Sequence, residues 1–189
     1  MKKTSIILLV LAMALALTVS CNDPERPVKE DDDRIDWPDM TSMDDVLETL
    51  ILTYANPKDP GSIPRYRALL HSQYFFGLAP RDVPVGGSPI ISATEDVSIT
   101  EKMFAQARIL ELSLDPMVNS WCEYPELDGE PCENCWSCQP SYFIRAQFGE
   151  EERLYISPPD NAEVMVIVAP DENDSSKWVL RAMYDLVVY

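Results

Sequence analysis

Residues 163–170 read "EVMVIVAP", an apolar run without the polar alternation of a strand that has one face in water. A short run of this kind predicts a strand buried on both faces, near the centre of a sheet. After a polar turn, residues 177–188 read "KWVLRAMYDLVV", and here two sets of side chains alternate along the chain. The two segments therefore predict paired antiparallel strands.

Three segments farther upstream also predict strands. Residues 108–114, "RILELSL", place leucines on one face, and residues 141–150, "SYFIRAQFGE", alternate in a similar way. Residues 73–78, "QYFFGL", predict a shorter strand. Turn-forming residues separate the later segments, which favours an antiparallel sheet.

The first part of the domain carries three helical patterns. Residues 42–57, "SMDDVLETLILTYANP", begin with Ser42 and Asp45 in the arrangement of a capping box and then repeat apolar residues at helical spacing. Residues 62–72, "SIPRYRALLHS", predict a short second helix. Residues 92–107, "SATEDVSITEKMFAQA", predict a third helix that begins with a serine followed three residues later by a glutamate.

Helices that precede a run of strands indicate an α+β fold, so we predict three N-terminal helices packed on a curved antiparallel sheet. The order of elements and the segments "LETLILTYANPKD", "YRALLHSQYFF", "EKMF", "LELSLD" and "WVLRAMYDL" resemble the nuclear transport factor two-like superfamily over residues 42–188. That resemblance implies a cone-shaped fold that encloses a pocket. Within the superfamily the chain looks like secreted bacterial lipoproteins of unassigned function.

The beginning of the chain predicts export. Two lysines precede an apolar stretch at residues 6–17, which is too short for a membrane-spanning helix of about 20 residues but suits a signal peptide. The next residues, "TVSC", resemble the lipobox of bacterial lipoproteins, in which the cysteine is lipidated and becomes the new N-terminus. We therefore predict a signal peptide at residues 1–20 and a lipid on Cys21. An ordinary cleaved signal is the alternative.

The composition divides the rest of the chain. Residues 21–40 are rich in acidic residues and proline and predict a disordered tether after the lipidated cysteine, and residues 41–189 predict one domain with a Cys-rich hairpin insertion at residues 117–140. A lipid on Cys21 places that domain on the extracytoplasmic side of the cell envelope, in the periplasm or at the outer membrane. The formal net charge of −17 argues against nucleic acid as a partner, because phosphate binding needs a basic patch.

The stretch "PCENCWSC", residues 131–138, holds three cysteines, and a fourth lies upstream. Disulfides persist outside the cytoplasm, so we predict two bridges among Cys122, Cys132, Cys135 and Cys138. The pairing that we favour nests Cys132–Cys135 inside Cys122–Cys138. Zinc binding and thiol–disulfide exchange are the alternatives, but structural zinc sites usually combine two separated cysteine pairs. We therefore expect neither a metal nor another cofactor.

The resemblance also implies where a site would lie. Ketosteroid isomerases, polyketide cyclases and dehydratases of this superfamily place an Asp or His base and a Tyr or Asp hydrogen-bond donor in the pocket. The pocket candidates in this chain are Tyr74, Asp115, Arg145, Tyr184 and Asp185. None of them matches an enzyme motif residue by residue. The lone histidine, His71, is placed by the helical pattern at the end of the second helix, where a cation complements the helix dipole.

We therefore expect a lipid-anchored, non-catalytic binding or scaffolding protein that contacts the membrane through its N-terminal lipid. An isomerase-like or cyclase-like enzyme that uses the cone pocket is the alternative. The resemblance further implies a small apolar ligand in the pocket and a homodimer formed through the sheet. A roomy pocket that contains acidic or tyrosine side chains would favour the enzyme, whereas a pocket filled by large apolar side chains would exclude it.

Overall fold

The computed structural model describes residues 35–80, 82–115, 121–156 and 162–187. The predicted signal peptide, Cys21 and most of the predicted tether lie outside these residues. The chain divides into two units, Met1–Asp36 and Trp37–Tyr189, and every element described below belongs to the second unit. Within the described residues, no helix combines the length and the apolar character needed to cross a bilayer.

The described residues contain three helices and eleven strands. The helices are α1 (Met43–Ala55), α2 (Ser62–Leu69) and α3 (Ala93–Gln106). The strands are β1 (Leu70–Gly77), β2 (Ile90–Ser92), β3 (Ala107–Asp115), β4 (Cys122–Glu123), β5 (Glu126–Leu127), β6 (Glu130–Pro131), β7 (Trp136–Cys138), β8 (Ser141–Phe148), β9 (Glu151–Ile156), β10 (Ala162–Pro170) and β11 (Trp178–Val187). The predicted α+β class is therefore confirmed.

Capping boxes fix the starts of two helices, as the sequence predicts. At α1 the Asp45 backbone N–H donates to Ser42 Oγ at 3.2 Å, and the Ser42 N–H donates to the Asp45 carboxylate at 3.1 Å. At α3 the Glu95 N–H donates to Ser92 Oγ at 3.4 Å, and the Ser92 N–H donates back to Glu95 at 3.0 Å. Each box satisfies backbone donors that the first helical turn leaves without an intrahelical acceptor.

The second helix is shorter than the sequence pattern predicts. It ends at Leu69, and β1 begins directly at Leu70, so His71 lies in a strand and not at a helix end. The predicted helix-capping role of His71 is therefore wrong. Leu70 already has extended backbone angles, with φ −90° and ψ 129°, because it enters the sheet beside Leu180 of β11.

Nine of the strands form one curved sheet within the described residues, and the predicted all-antiparallel arrangement is wrong at one position. Strands β1 and β11 pair in parallel, whereas the other pairs in the sheet are antiparallel. The two strands are far apart in sequence, so no hairpin turn forces them to run in opposite directions.

Outside the predicted Cys-rich hairpin insertion, the sequence patterns miss two of the described strands. Strand β2 pairs with the end of β1, inside a segment whose proline and glycine content suggests only a loop. Strand β9 pairs with β8 from Phe148↔Glu151 to Phe143↔Ile156. Gly149, with φ 63°, stands at the first position of the two-residue turn between them. A glycine at this position is a hairpin signal that the sequence does carry.

Strand β10 is buried on both faces. Val164, Val166 and Val168 join the core formed with the three helices, and each is at most 5% exposed. Ile167 and Ala169 join a second cluster on the opposite face of the sheet, together with Leu127 and Cys135 of the Cys-rich insertion. The insertion therefore covers the face of the sheet that the helices leave open.

One of the two predicted disulfides is formed. Cys132 and Cys135 are bridged, with their Cα atoms 5.5 Å apart, across a turn in which Asn134 has φ 57°. Cys122 and Cys138 are free thiols, so the predicted bridge between them is wrong in this structure. The register of β4 on β7 places Cys122 opposite Ser137, so the Cys122 and Ser137 side chains share one face of the sheet. Cys138 follows Ser137 and therefore projects from the other face, away from Cys122.

Intact mass and stability measurements test this cysteine arrangement. In the chain from residue 22 onward, reduction should add the mass of the hydrogens of a single bridge. Replacing Cys132 and Cys135 together by alanine should lower the free energy of unfolding by about 2 kcal/mol, because the bridge closes a short loop. The control Cys122→Ala removes an exposed free thiol and should leave stability unchanged. A mass that corresponds to two bridges would contradict the arrangement and restore the Cys122–Cys138 pairing.

Candidate functional site

A cavity of about 290 Å³ lies between the three helices and the inner face of the sheet. Its lining is mostly apolar, with four tyrosines and two acidic side chains. The described lining residues are Leu50, Tyr54, Tyr66, Tyr74, Phe76, Ile91, Asp96, Ile99, Leu112, Leu114, Tyr142, Ile144, Val164, Met183 and Asp185. An apolar cavity with a few convergent polar groups is the usual form of a small-molecule site.

Each helix contributes a polar side chain to one part of this cavity. Tyr54 lies in the last turn of α1, Tyr66 lies in the middle of α2, and Asp96 lies in the first turn of α3. The sheet adds Tyr74 from β1, whose side chain is buried in the core formed with the helices. Asp96 also benefits from its place at a helix N-terminus, where the helix dipole favours negative charge.

Hydrogen bonds connect these groups into a network. The Tyr66 hydroxyl donates to Asp96 Oδ2 at 2.6 Å, and Tyr74 makes a further side-chain hydrogen bond with Asp96. Tyr54 hydrogen-bonds with Tyr66 and with the buried Thr100 of α3. The Tyr54 and Tyr66 rings meet edge to face, with their centroids 6.2 Å apart. The polar atoms of the network therefore converge on the Asp96 carboxyl group.

Burial sets the ionisation of the network. Desolvation raises the pKa of Asp96 above its ordinary value, although the hydrogen bonds from Tyr66 and Tyr74 counteract part of this change. Burial likewise raises the pKa values of Tyr66 and Tyr74 well above the ordinary tyrosine value, so both remain hydroxyl donors at neutral pH. A carboxyl group with a raised pKa beside tyrosine hydroxyls can hold or transfer a proton.

Asp185 supplies the second acidic side chain of the lining. It lies on β11 opposite Val164 of β10, and both residues line the cavity together with Met183. Met183 and Asp185 are two positions apart on one strand, so their side chains project from the same face. The intervening Tyr184 therefore projects from the other face of the sheet.

Among the described side chains, the cavity lining contains two of the five predicted pocket candidates. Tyr74 and Asp185 both line the cavity. Arg145 is not among the described lining residues, and its Nη1 atom lies 3.5 Å from Glu111 Oε2. The side chain of Asp115 lies outside the described residues.

Tyr184 lies on the opposite face of the sheet from the cavity. Its hydroxyl donates to Asp128 Oδ1 at 3.0 Å, and its ring meets Phe75 edge to face at a centroid distance of 5.4 Å. A Cβ atom on the neighbouring Gly77 would come within 2.5 Å of the Tyr184 ring. Glycine at position 77 therefore allows this ring to pack against the backbone of β1.

His71 is not among the described residues of the cavity lining. It borders a separate groove between α2, β1 and α3, together with Arg67 and Glu101. Its Nε2 atom lies 3.3 Å from Glu172 Oε1, and its Nδ1 atom accepts a hydrogen bond from the Gln73 N–H at 3.1 Å. Burial lowers the pKa of His71, which favours the neutral imidazole. An Nδ1 atom that accepts a backbone hydrogen bond also requires that nitrogen to be unprotonated.

Sequence reasoning misses Asp96, Tyr54 and Tyr66 as site residues. Tyr54 and Tyr66 stand at the helical spacing of core residues, and Asp96 follows Glu95 in the acidic first turn of α3. One signal was present. Glu95 completes the capping box and Asp96 does not, so the capping hydrogen bonds do not account for Asp96, although a negative charge suits the helix N-terminus.

Comparison with known proteins shows the fold. A conserved protein from Planctomyces limnophilus is 16% identical, with 76% of this chain and 91% of that chain covered and a TM-score of 0.51. A nuclear transport factor 2-like superfamily protein from Salmonella enterica is 10% identical, with coverages of 76% and 87% and a TM-score of 0.51. A protein of the same family from Streptomyces avermitilis, named as a provisional dehydratase, is 8% identical, with coverages of 79% and 97% and a TM-score of 0.52. The fold is therefore nuclear transport factor two-like. No family model and no curated protein matches the chain.

Titration of the Asp96 carboxyl group by NMR tests the network. The pKa of Asp96 should lie above that of an ordinary aspartate, and Tyr66→Phe should raise it further, because the lost hydrogen bond favours the carboxylate. Tyr184→Phe is the matched control, since that hydroxyl bonds Asp128 on the other face of the sheet. A pKa of Asp96 at or below the ordinary value, or an equal effect of both substitutions, would refute the network.

Proposed function

We propose that this protein is a lipid-anchored, extracytoplasmic binding protein whose cavity holds a small, mainly apolar molecule. The cavity of about 290 Å³ between the helices and the sheet carries this proposal. Large side chains line this space without filling it, and the polar groups converge at Asp96. Apolar walls favour burial of a ligand body, and a few fixed polar groups select its orientation.

The converging hydrogen bonds support a ligand with one polar group. Tyr66 holds Asp96 at 2.6 Å, and Leu112, Leu114 and Ile144 contribute apolar walls. A ligand in the cavity transfers its apolar body from water to an apolar environment. Its polar group meets hydrogen-bonding side chains around Asp96 that are already held in position. Such preorganisation reduces the entropic cost of binding.

A fluorescence titration tests the binding function. The neutral probe N-phenyl-1-naphthylamine should bind the wild-type protein and gain fluorescence in the apolar cavity. Ile144→Trp places a larger ring in the lining and should weaken binding at least about tenfold, or about 1.4 kcal/mol. Ile90→Trp is the matched control, because Ile90 is exposed and is not among the lining residues. Equal affinity of both variants would place the probe outside the cavity, and no binding by the wild type would refute the proposal.

The lipid anchor and the envelope location belong to the same proposal. The supporting observations are the lipobox-like "TVSC" before residue 22, the acidic and proline-rich segment that follows, and the Cys132–Cys135 bridge. A disulfide favours an oxidising compartment, because cytoplasmic thiols are kept reduced. The cavity domain would then stand beyond a tether on the extracytoplasmic side, in the periplasm or at the outer membrane.

Cell fractionation tests the anchor. The wild-type protein expressed in a bacterium should sediment with membranes and carry a lipid-modified N-terminal cysteine detectable by mass spectrometry. Cys21→Ser should abolish the modification and release the protein from the membrane fraction. The control Cys122→Ser removes a cysteine of the domain and should leave the protein with the membranes. A wild-type protein without lipid would support the ordinary cleaved signal.

A second function, proton transfer on a bound ligand, is favoured by the two acidic side chains of the lining. Asp96 has a raised pKa and tyrosine neighbours, and Asp185 lies in the same cavity. Two carboxyl groups in different environments can divide the roles of acid and base. Deuterium incorporation into small cyclic ketones incubated with the protein in D₂O distinguishes catalysis from binding alone. Catalysed exchange that Asp185→Asn removes would support an isomerase-like or cyclase-like enzyme.

A homodimer through the sheet and the absence of a nucleic-acid partner belong to the same proposal. The Cys-rich insertion already packs against Ile167 and Ala182 on the face of the sheet that is opposite the helices. A homodimer through the sheet would use the part of that face that the insertion leaves uncovered. The formal net charge of −17 supports a protein that avoids nucleic acid.

A further inference from the structure

We propose that the loop before β2, together with the adjoining rim of the cavity, docks on a bilayer of lipids without net charge. This docking surface consists of residues 83–90 and Ile99. The inference rests on the proposed lipid anchor and adds a second, direct contact between the domain and the membrane. It comes from the position of the exposed apolar side chains, from the lack of charge around them and from the length of chain that precedes the domain.

The exposed apolar side chains of the described domain are concentrated in one part of the chain. Its exposed large hydrophobic residues are Val85, which is fully exposed, and Ile90 and Ile99, which are 44% and 49% exposed. Single apolar residues scattered over a surface are normal, whereas a group of them marks an interaction site. The Gly87 N–H donates to the Pro84 carbonyl oxygen at 2.7 Å, and the turn that this bond closes presents Val85 to solvent.

The docking surface borders the opening of the cavity. Phe76 of β1 and Ile91 of β2 are opposite each other in the strand register, and both line the cavity. The loop that carries Val85 connects these two strands, so it continues the cavity wall beyond the last paired residues. Ile99 of α3 lines the cavity and is also half-exposed, so the cavity reaches the protein surface there. A bilayer in contact with the docking surface would therefore lie against the cavity opening.

The docking surface carries no charged residue. Residues 83–92 read "VPVGGSPIIS", in a chain of which 25% of the residues are charged. Insertion of such a segment among lipids leaves no charge buried without a partner. The formal net charge of −17 opposes contact with anionic lipids, because their headgroups attract basic segments. The composition therefore favours a bilayer of zwitterionic lipids.

The size of the docking surface favours a membrane over a second protein. A stable protein interface takes about 800 Å² and roughly 20–30 residues from each partner. The docking surface has fewer than half as many residues. A lipid anchor holds the domain close to the bilayer, so a second contact with the same bilayer needs little affinity of its own.

The chain before the domain is long enough for this contact. The Trp178 N–H donates to the Met40 carbonyl oxygen at 2.8 Å, so the start of the domain lies beside the first residue of β11. Because β1 and β11 run parallel, the loop after β1 lies at the other end of these strands, about 25 Å away. The chain from Cys21 to Met40 can span at most about 65 Å. The lipid and the docking surface can therefore contact the same bilayer.

Quenching by brominated lipids tests the inference. The full-length protein, purified with its lipid from bacterial membranes, is reconstituted in phosphatidylcholine vesicles whose acyl chains carry bromine, a short-range quencher of tryptophan fluorescence. In Val85→Trp and in Ile90→Trp, the fluorescence gained over the wild type should fall at least about twofold, because interfacial side chains insert about 5–10 Å. Replacing half of the phosphatidylcholine by phosphatidylglycerol should reduce this quenching, because the protein is acidic.

Two further variants assign the quenching to the docking surface. Ser175→Trp is the matched control, because Ser175 is exposed in the turn before β11, at the opposite end of the parallel strands, and its tryptophan should not be quenched. Val85→Asp, combined with Ile90→Trp, should remove the quenching, since a carboxylate opposes insertion. The reporters at positions 85 and 90 are independent, so either one decides the question if the other variant fails to fold.

The outcomes separate the inference from the proposed function. Reporters that are not quenched in the lipidated protein, or equal quenching of Ser175→Trp, would overturn the docking surface and leave the anchor and the cavity intact. Stronger quenching with phosphatidylglycerol would overturn the preference for uncharged lipids. A fluorescence change that follows protein concentration and not bromine would assign the surface to a second copy of the chain and overturn the inference. A protein without lipid on Cys21 would refute the anchor and this inference together.

Discussion

The burial of β10 on both faces is the constraint on which the rest of the structure depends. Val166 and Val168 face the helices, whereas Ile167 and Ala169 face the Cys-rich insertion. A strand without a polar side cannot have water on either face, so helices on one side alone cannot complete the fold. The insertion therefore covers the second face of the sheet. The Cys132–Cys135 bridge constrains the turn that places Cys135 against Ile167 and Ala169.

The same architecture explains why a cavity remains. Three helices pack across a curved sheet, and their large side chains border an inner space of about 290 Å³. Placing Asp96 beside this apolar space opposes its ionisation, and the hydrogen bonds from Tyr66 and Tyr74 offset part of that cost. The raised pKa of this buried carboxyl group is one of the observations on which the proposed binding site is based.

Local patterns predicted those features that neighbouring residues decide. The capping pairs at Ser42 and Ser92 specify helix starts through hydrogen bonds that span three residues, and the structure forms both. The C-terminal strands also follow from their alternation and apolar content. The end of α2 was misplaced because Leu70 and His71 continue a helical pattern, while pairing of Leu70 with Leu180 draws them into the sheet. Propensity is a weak guide where a distant strand competes for the same residues.

The candidate site shows where local reasoning ends. Tyr74 and Asp185 could be proposed as pocket residues from the resemblance, but their meeting with Asp96, Tyr54 and Tyr66 joins five elements, of which α3 and β11 lie farther along the chain than the first three. The spacing of these residues in the sequence does not predict that their side chains line the same cavity.

The amino-acid sequence by itself determined the helix starts, the five longest strands, the α+β class and the cysteine spacing that allows the Cys132–Cys135 bridge. Each of these depends on periodicity or on hydrogen bonds between near neighbours. The tertiary structure alone decided the parallel pairing of β1 with β11, the register that separates Cys122 from Cys138, and the grouping of tyrosines around Asp96. These features depend on which distant segments share a face, and that follows only from packing of the whole domain.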